Sequence, residues 1–203
     1  MSGPLEGLKI VEIGEGPAVA YAGRNLADMG AEVVKVEPPE GDGMRRWPGP
    51  EALGAPAVFH ALNRGKASVA LDLESDNDRE TLARLLKAAD GVIDGTADGI
   101  ARTLAPENAD PRLVVARVTP YGDGVDAGVP AHDATIQAES GWLAINGRPD
   151  FDPVRSGLHM PSQAAGASAV QAMLAALIAR EDDGQGDDVD VALYDQAVVI
   201  SYH

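Results

Sequence analysis

The turn Gly14-Glu15-Gly16-Pro17-Ala18-Val19 carries residue types that could hold a phosphate, and an acid follows at Glu37. Glycines of this kind admit a pyrophosphate to the unsatisfied N–H groups of a helix N-terminus, and the acid could take a ribose hydroxyl. Two positions depart from that pattern. Val19 stands where a third small residue is needed for close helix–strand packing, and Pro17 removes one backbone donor. A tight turn feeding a helix accounts for the same residues without any ligand. Arg45, Arg46 and Lys66 are cations that could meet phosphates, and each reads more readily as surface charge than as a ligand contact. His132 is followed directly by Asp133, which places a group able to titrate near neutrality beside a carboxylate; His60 lacks such company. With no cysteine, thiol nucleophiles, thiolate metal sites and disulfides are excluded.

The charge balance narrows the partners. Lys plus Arg number 16 against 32 Asp plus Glu, a formal net charge of -16, so nucleic acid and anionic membrane surfaces are repelled. A polyanionic ligand would need a local cluster of cations or helix N-termini. No leader-like segment and no uninterrupted apolar run of membrane-spanning length is seen, and the expected location is cytoplasmic. The 203 residues suit a single domain, and with aromatics at 4% its core must be built from Ala, Val, Leu and Ile.

These residues are set on alternating strands and helices. Leu8–Ile13 alternates as a strand, Pro17 opens a helix through Val19, Ala22, Leu26 and Met29, Gly30 closes it, and Glu32–Glu37 is a second strand. The βαβ unit implies parallel pairing. Residues 38–56, rich in Gly and Pro, read as a long loop packed by its own side chains. Ala67–Leu73, Asp90–Asp94 and Leu113–Thr119 read as further strands, with helices over 75–89 and 96–104 between them. After Pro120, a helix is expected over 131–144, irregular chain over 146–159, a long helix from Ser162 to Glu181, a strand over 188–193 and the opening of an apolar helix over 195–202. That last run leads to the expectation that the chain is truncated or is one piece of a larger assembly. The predicted class is α/β, a mostly parallel Rossmann-like sheet with helices on both faces.

One resemblance spans the chain. Pro4-Leu5-Glu6-Gly7-Leu8-Lys9-Ile10-Val11-Glu12, Leu26-Ala27-Asp28-Met29-Gly30-Ala31-Glu32-Val33-Val34-Lys35-Val36-Glu37 and Gly41-Asp42-Gly43-Met44-Arg45 resemble, in order and spacing, the opening of the class III acyl-CoA transferases. Asn63–Leu73, Ala89–Asp94, His132-Asp133 with Gln137–Gly141, Pro153-Val154-Arg155 and Ala175–Arg180 ahead of Asp188–Leu193 follow in family order. The family includes formyl-CoA and carnitine CoA-transferases and α-methylacyl-CoA racemase. Its members are usually about twice this length, interlocked dimers with a second small domain.

The resemblance implies the family's large domain over residues 1–203 without the small one. It also implies coenzyme A as substrate or ligand, no metal, acyl-CoA and carboxylate small molecules as partners, and a homodimer or a hetero-oligomer with an aspartate-bearing subunit, in which this chain would be a non-catalytic CoA-binding or scaffolding subunit. The implied CoA contacts are Pro17 and Ala18 at the first turn, Leu71 and Asp72 after the third strand, and Gly95 and Thr96 after the fourth, with Arg102 near a phosphate-binding position. The family's nucleophilic aspartate falls on Ser162. A serine cannot form the mixed anhydride that precedes an enzyme-bound CoA thioester. Ser162 could accept an acyl group as an ester given a base such as His159 or His132, or it could serve only as the N-cap of the long helix. By the racemase branch, His132 with Asp133 would handle an α-proton from one face.

Overall fold

The computed structural model describes residues 3–52, 54–104, 111–123, 129–148, 150–157 and 159–202. Six parallel strands form the main sheet: β1 Lys9–Ile13, β2 Glu32–Glu37, β3 Ala67–Ala70, β4 Gly91–Asp94, β5 Val114–Thr119 and β6 Asp188–Ala192. Their spatial order is β3-β2-β1-β4-β5-β6, so the chain runs outward in both directions from β1 and β4. The helices are α1 Pro17–Asp28, α2 Ala57–Asn63, α3 Asp76–Lys87, α4 Ile100–Leu104, α5 Asp133–Glu139, α6 Trp142–Ile145, α7 Met160–Asp183 and α8 Leu193–Ser201.

The two-residue period of the strands divides the core between the sheet's faces. Ile10, Val33, Ile93, Val114 and Val191 face α1 and α7, while Val11, Ile13, Val36, Val92 and Val115 face α3 and α4. The near-continuous apolar runs of the inner strands follow from that double burial. By length and composition α7 could cross a membrane; its buried stripe of Ala165, Ala169, Met173 and Leu177 packs instead on α1 and the sheet.

One close approach fixes the site. A Cβ at Gly166 of α7 would lie 2.5 Å from the Ala18 carbonyl oxygen and 3.1 Å from the Ala22 nitrogen, so the missing side chain lets α7 rest on the backbone of α1. The starts of these two long helices therefore lie side by side.

Several elements differ from the sequence reading. The 38–56 segment holds a 3-10 turn at Gly43–Arg46 and a two-residue ladder of Glu51–Ala52 with Ala55–Pro56, clamped by Met44, Phe59 and Leu62. Helix α2 lies in a stretch too short and too mixed to show a period. The helix expected over 131–144 breaks at Gly141, whose φ is 82°, and the third strand ends its pairing at Ala70. Helix α4 starts at Ile100 and not at Thr96, because the Thr96 hydroxyl accepts the Ile100 N–H at 2.9 Å while itself donating to Asp94 at 2.6 Å.

Candidate active site

The carboxyl ends of β1, β2, β3 and β4 surround a crevice of about 650 Å³, lined by Gly14, Glu15, Glu37, Leu71, Asp72, Gly95 and Thr96 among others. It lies where the strand order reverses, the place at which open α/β sheets bind ligands. Gly14 has φ 105°, and a Cβ there would stand 3.0 Å from the backbone of Gly95, so the turns after β1 and β4 nearly touch. Of the residues expected at a CoA site, Leu71, Asp72, Gly95 and Thr96 line this crevice.

Glu37, the acid that a dinucleotide would need, is engaged elsewhere. It accepts two 2.7 Å bonds from Arg45, one of 2.6 Å from Ser68 and one of 2.9 Å from the Asp42 N–H. Above all the Arg45 guanidinium, with those other donors and against the effect of burial, holds the Glu37 carboxyl down at about 2. No acceptor is left for a ribose hydroxyl, and the pair serves to lock the loop after β2.

A buried ionic cluster locks the same loop from below. Glu12 lies 2.9 Å from Lys35 and 2.7 Å from Lys66, and Lys35 lies 2.8 Å from Asp42. Burial alone would lower the Lys35 ammonium, yet the Glu12 and Asp42 carboxylates carry it above the ordinary lysine value. Burial lowers Lys66, and its carboxylate neighbours offset only part of that. Lys66, read from the sequence as a possible phosphate ligand or surface charge, is neither. It is a buried cation that also donates to the Ala20 carbonyl at 2.8 Å.

A second cleft, of about 380 Å³, shares Glu15 and Gly95 with the first. Pro17, Ala18 and Val19 from the start of α1 form one side, and Ser162, His159, His132, Asp133, Arg155 and Trp47 are on its walls. Pro17 and Ala18 thus belong to this cleft and not to the crevice. The first N–H groups of α1 have no partners within the helix, so its start favours negative charge here.

Ser162 is not the N-cap that the sequence allowed. Helix α7 begins at Met160 with His159 as its cap residue in the left-handed conformation at φ 48°, and Ser162 is already inside the first turn. Its side chain reaches across to α5: the hydroxyl donates to Asp133 Oδ2 at 2.6 Å, and its N–H donates to the same oxygen at 3.0 Å. Gln137 braces the other carboxylate oxygen at 2.6 Å. The capping acceptor for α7 therefore comes from another helix, a long-range pairing that no local pattern could display.

His159 Nδ1 is 3.9 Å from Asp133 Oδ1, and its ring lies 5.2 Å from that of Trp47. Along this chain the carboxylate stands between serine and imidazole. A serine–histidine relay needs the imidazole in the middle, so His159 is not placed to take the Ser162 proton. His132 is exposed on the cleft wall, and no described residue bonds to its ring. Arg102 lines neither cleft; it is tied to Asp123 at 3.2 Å and Asp188 at 3.0 Å. Gln137 and Trp47 went unassigned in the sequence. Gln137 had a signal available, four residues from Asp133 on one face of a helix.

A model of the CoA-transferase family III matches residues 5–203. The chain belongs to CoA-transferase family III. Among its relatives, a succinate–glutarate CoA-transferase of Agrobacterium fabrum is 37% identical over 98% of this chain and 53% of its own length. A probable fatty acyl-CoA transferase of Mycobacterium tuberculosis, Rv3272, is 35% identical over 96% and 52%. The human succinyl-CoA:glutarate CoA-transferase is 33% identical over 98% and 47%.

This family III chain thus spans about half the length of the curated relatives it matches. A Brucella suis CaiB/BaiF family protein superposes with a TM-score of 0.89 at 33% identity, covering 98% of this chain and 56% of that one. A crystallised Rv3272 variant in which an aspartate is changed to alanine superposes with 0.86 at 34% identity, over 98% and 56%.

Proposed function

We propose that this protein binds an acyl-CoA for transfer of CoA to a carboxylic acid, with the nucleotide in the crevice at the strand ends and the acyl group in the Ser162 cleft. The observation that carries this reading is the continuity of the two clefts through Glu15 and Gly95. A thioester bound that way would place its carbonyl near the start of α1, whose first N–H groups suit a developing oxyanion.

In this reading Ser162 occupies the family's aspartate position. Transfer through an enzyme-bound CoA thioester needs a carboxylate there, because only an acyl anhydride offers CoA thiolate a second carbonyl on the protein. Asp133, enclosed by Ser162 and Gln137, acts as the bracket that sets Ser162 and the first turn of α7. The transferring carboxylate would then come from a partner subunit, in a dimer or hetero-oligomer. The relatives' names include succinate, glutarate and a fatty acyl group, so they leave the acyl chemistry open.

Calorimetry with CoA tests the binding half, and mass spectrometry after incubation with acyl-CoA tests the chemistry. The expected result is CoA binding by the wild type, no covalent CoA on it, and a hydroxylamine-sensitive CoA thioester on Ser162→Asp. Absence of CoA binding would sink the reading. A folded Ser162→Asp protein that never acquires CoA would show that position 162 does not face the thioester.

A second reading is favoured by one observation, the exposed ring of His132 on the cleft wall, to which no described residue bonds. A base there could exchange the α-proton of an acyl-CoA from one face. Deuterium wash-in at the α-carbon by wild type and its loss in His132→Ala would support this, and absence of wash-in by the wild type would end it.

A further inference from the structure

Among the described residues Arg155 is the one lysine or arginine lining either cleft. It is exposed, and no described residue offers its guanidinium a hydrogen bond or an ion pair. Several other guanidiniums are committed, Arg45 to Glu37, Arg102 to Asp123 and Asp188, and Arg180 to Asp90, but those lie outside the Ser162 cleft.

The backbone that presents Arg155 is fixed on both sides. The carbonyl of Val154 accepts from Asn146 at 2.7 Å, and the N–H of Ser156 donates to Gln137 Oε1 at 2.9 Å. Gln137 is the same side chain that braces Asp133. One residue thus ties the Arg155 segment to the Asp133–Ser162 pair, which holds the Arg155 backbone in the wall of the same cleft.

Building on the acyl-CoA reading, we infer that Arg155 receives the terminal carboxylate of a short dicarboxylic acyl group. The volume of about 380 Å³ falls near the small end of the roughly 300–1,000 Å³ range of ligand pockets, and so favours a short chain. Val19, Val118 and Leu193 give apolar wall for its methylenes. A substrate with a second negative charge is repelled by a protein of net charge -16, and a local guanidinium fork counters that repulsion with paired charge-assisted bonds.

The test is calorimetry with three probes, CoA, butyryl-CoA and succinyl-CoA, on wild type, Arg155→Gln and Arg155→Lys. Wild type is expected to bind succinyl-CoA more tightly than butyryl-CoA by about tenfold or more, the worth of a hydrogen-bonded charge pair. Arg155→Gln should erase that difference while CoA and butyryl-CoA bind as before, and Arg155→Lys should restore only part of it. Equal binding of the two thioesters by wild type, or a preference that survives in Arg155→Gln, would overturn the inference. So would an equal weakening of CoA itself, which would put the guanidinium on CoA phosphates. Failure of wild type to bind CoA removes the underlying reading as well, and the CoA titration reports that separately.

Discussion

The hydroxyl and the backbone N–H of Ser162 both donate to one oxygen of Asp133, at 2.6 and 3.0 Å. The carboxylate at the start of a seven-residue helix thereby closes the first turn of a helix of 24 residues. Removing it would leave a buried N–H and a buried hydroxyl without an acceptor, at about 1–3 kcal/mol for each group. Asp133→Ala is expected to lower the unfolding free energy read from urea denaturation by an amount in that range, and Ser162→Ala by less, because the N–H keeps its partner. Equal losses in the two variants would show that the carboxylate does not cap α7.

Gly166 tests the seating of the two long helices. An alanine Cβ would meet the Ala18 carbonyl oxygen at 2.5 Å, and overpacking of this kind costs about 1–3 kcal/mol. Because the contact is at the start of α1, Gly166→Ala should also displace Pro17 and Ala18 and weaken CoA binding. Glycine-to-alanine inside a helix otherwise stabilises by up to about 1 kcal/mol. A stabilised variant with unchanged CoA affinity would refute the close approach.

The Glu12 cluster makes a sharper demand. Two ammonium groups lie within 2.9 Å of this fully buried carboxylate. Neutralising it in Glu12→Gln leaves Lys66 without a carboxylate partner, and breaking a buried pair from one side costs about 3–5 kcal/mol. Chemical denaturation at neutral pH measures the loss. A change under about 1 kcal/mol, the scale of an exposed ion pair, would mean that water reaches the cluster.

Glu37 sets a pH dependence. Its carboxyl, ordinarily near 4.5, is held at about 2 in the folded chain, chiefly by Arg45. The folded state thus binds this proton less readily than the unfolded chain. The stability it contributes is present above about pH 4.5 and is lost as pH falls toward 2. The gap in unfolding free energy between wild type and Glu37→Gln should be constant from pH 7 to 5 and shrink below pH 4.5. A gap that widened on acidification would contradict the Glu37–Arg45 pairing.

The pattern of alternating strands and helices was legible because each element declares itself locally. The two-residue period of β1 and β2, Pro17 at a helix start and Gly30 at its end are sequence facts with one physical reading. Helix α2 and the break at Gly141 were not legible, since their stretches are only a few residues long and depend on what they pack against. Arg102 shows the limit of carrying a role by position. A guanidinium near a phosphate-binding place in the sequence lies, in the fold, between Asp123 and Asp188.

By itself the sequence determined the family, the parallel α/β sheet and the presence of serine at position 162, because these rest on residue types and their order along the chain. The tertiary structure decided which groups meet. It put Asp133 of α5 on Ser162 of α7, turned Glu37 and Lys66 from candidate ligands into anchors of the loop after β2, and made Arg155 the one lysine or arginine among the described residues lining the cleft. The physical reason is that hydrogen bonds and ion pairs are fixed by distances of about 3 Å in space. Chain order sets such distances only within a helical turn or a hairpin.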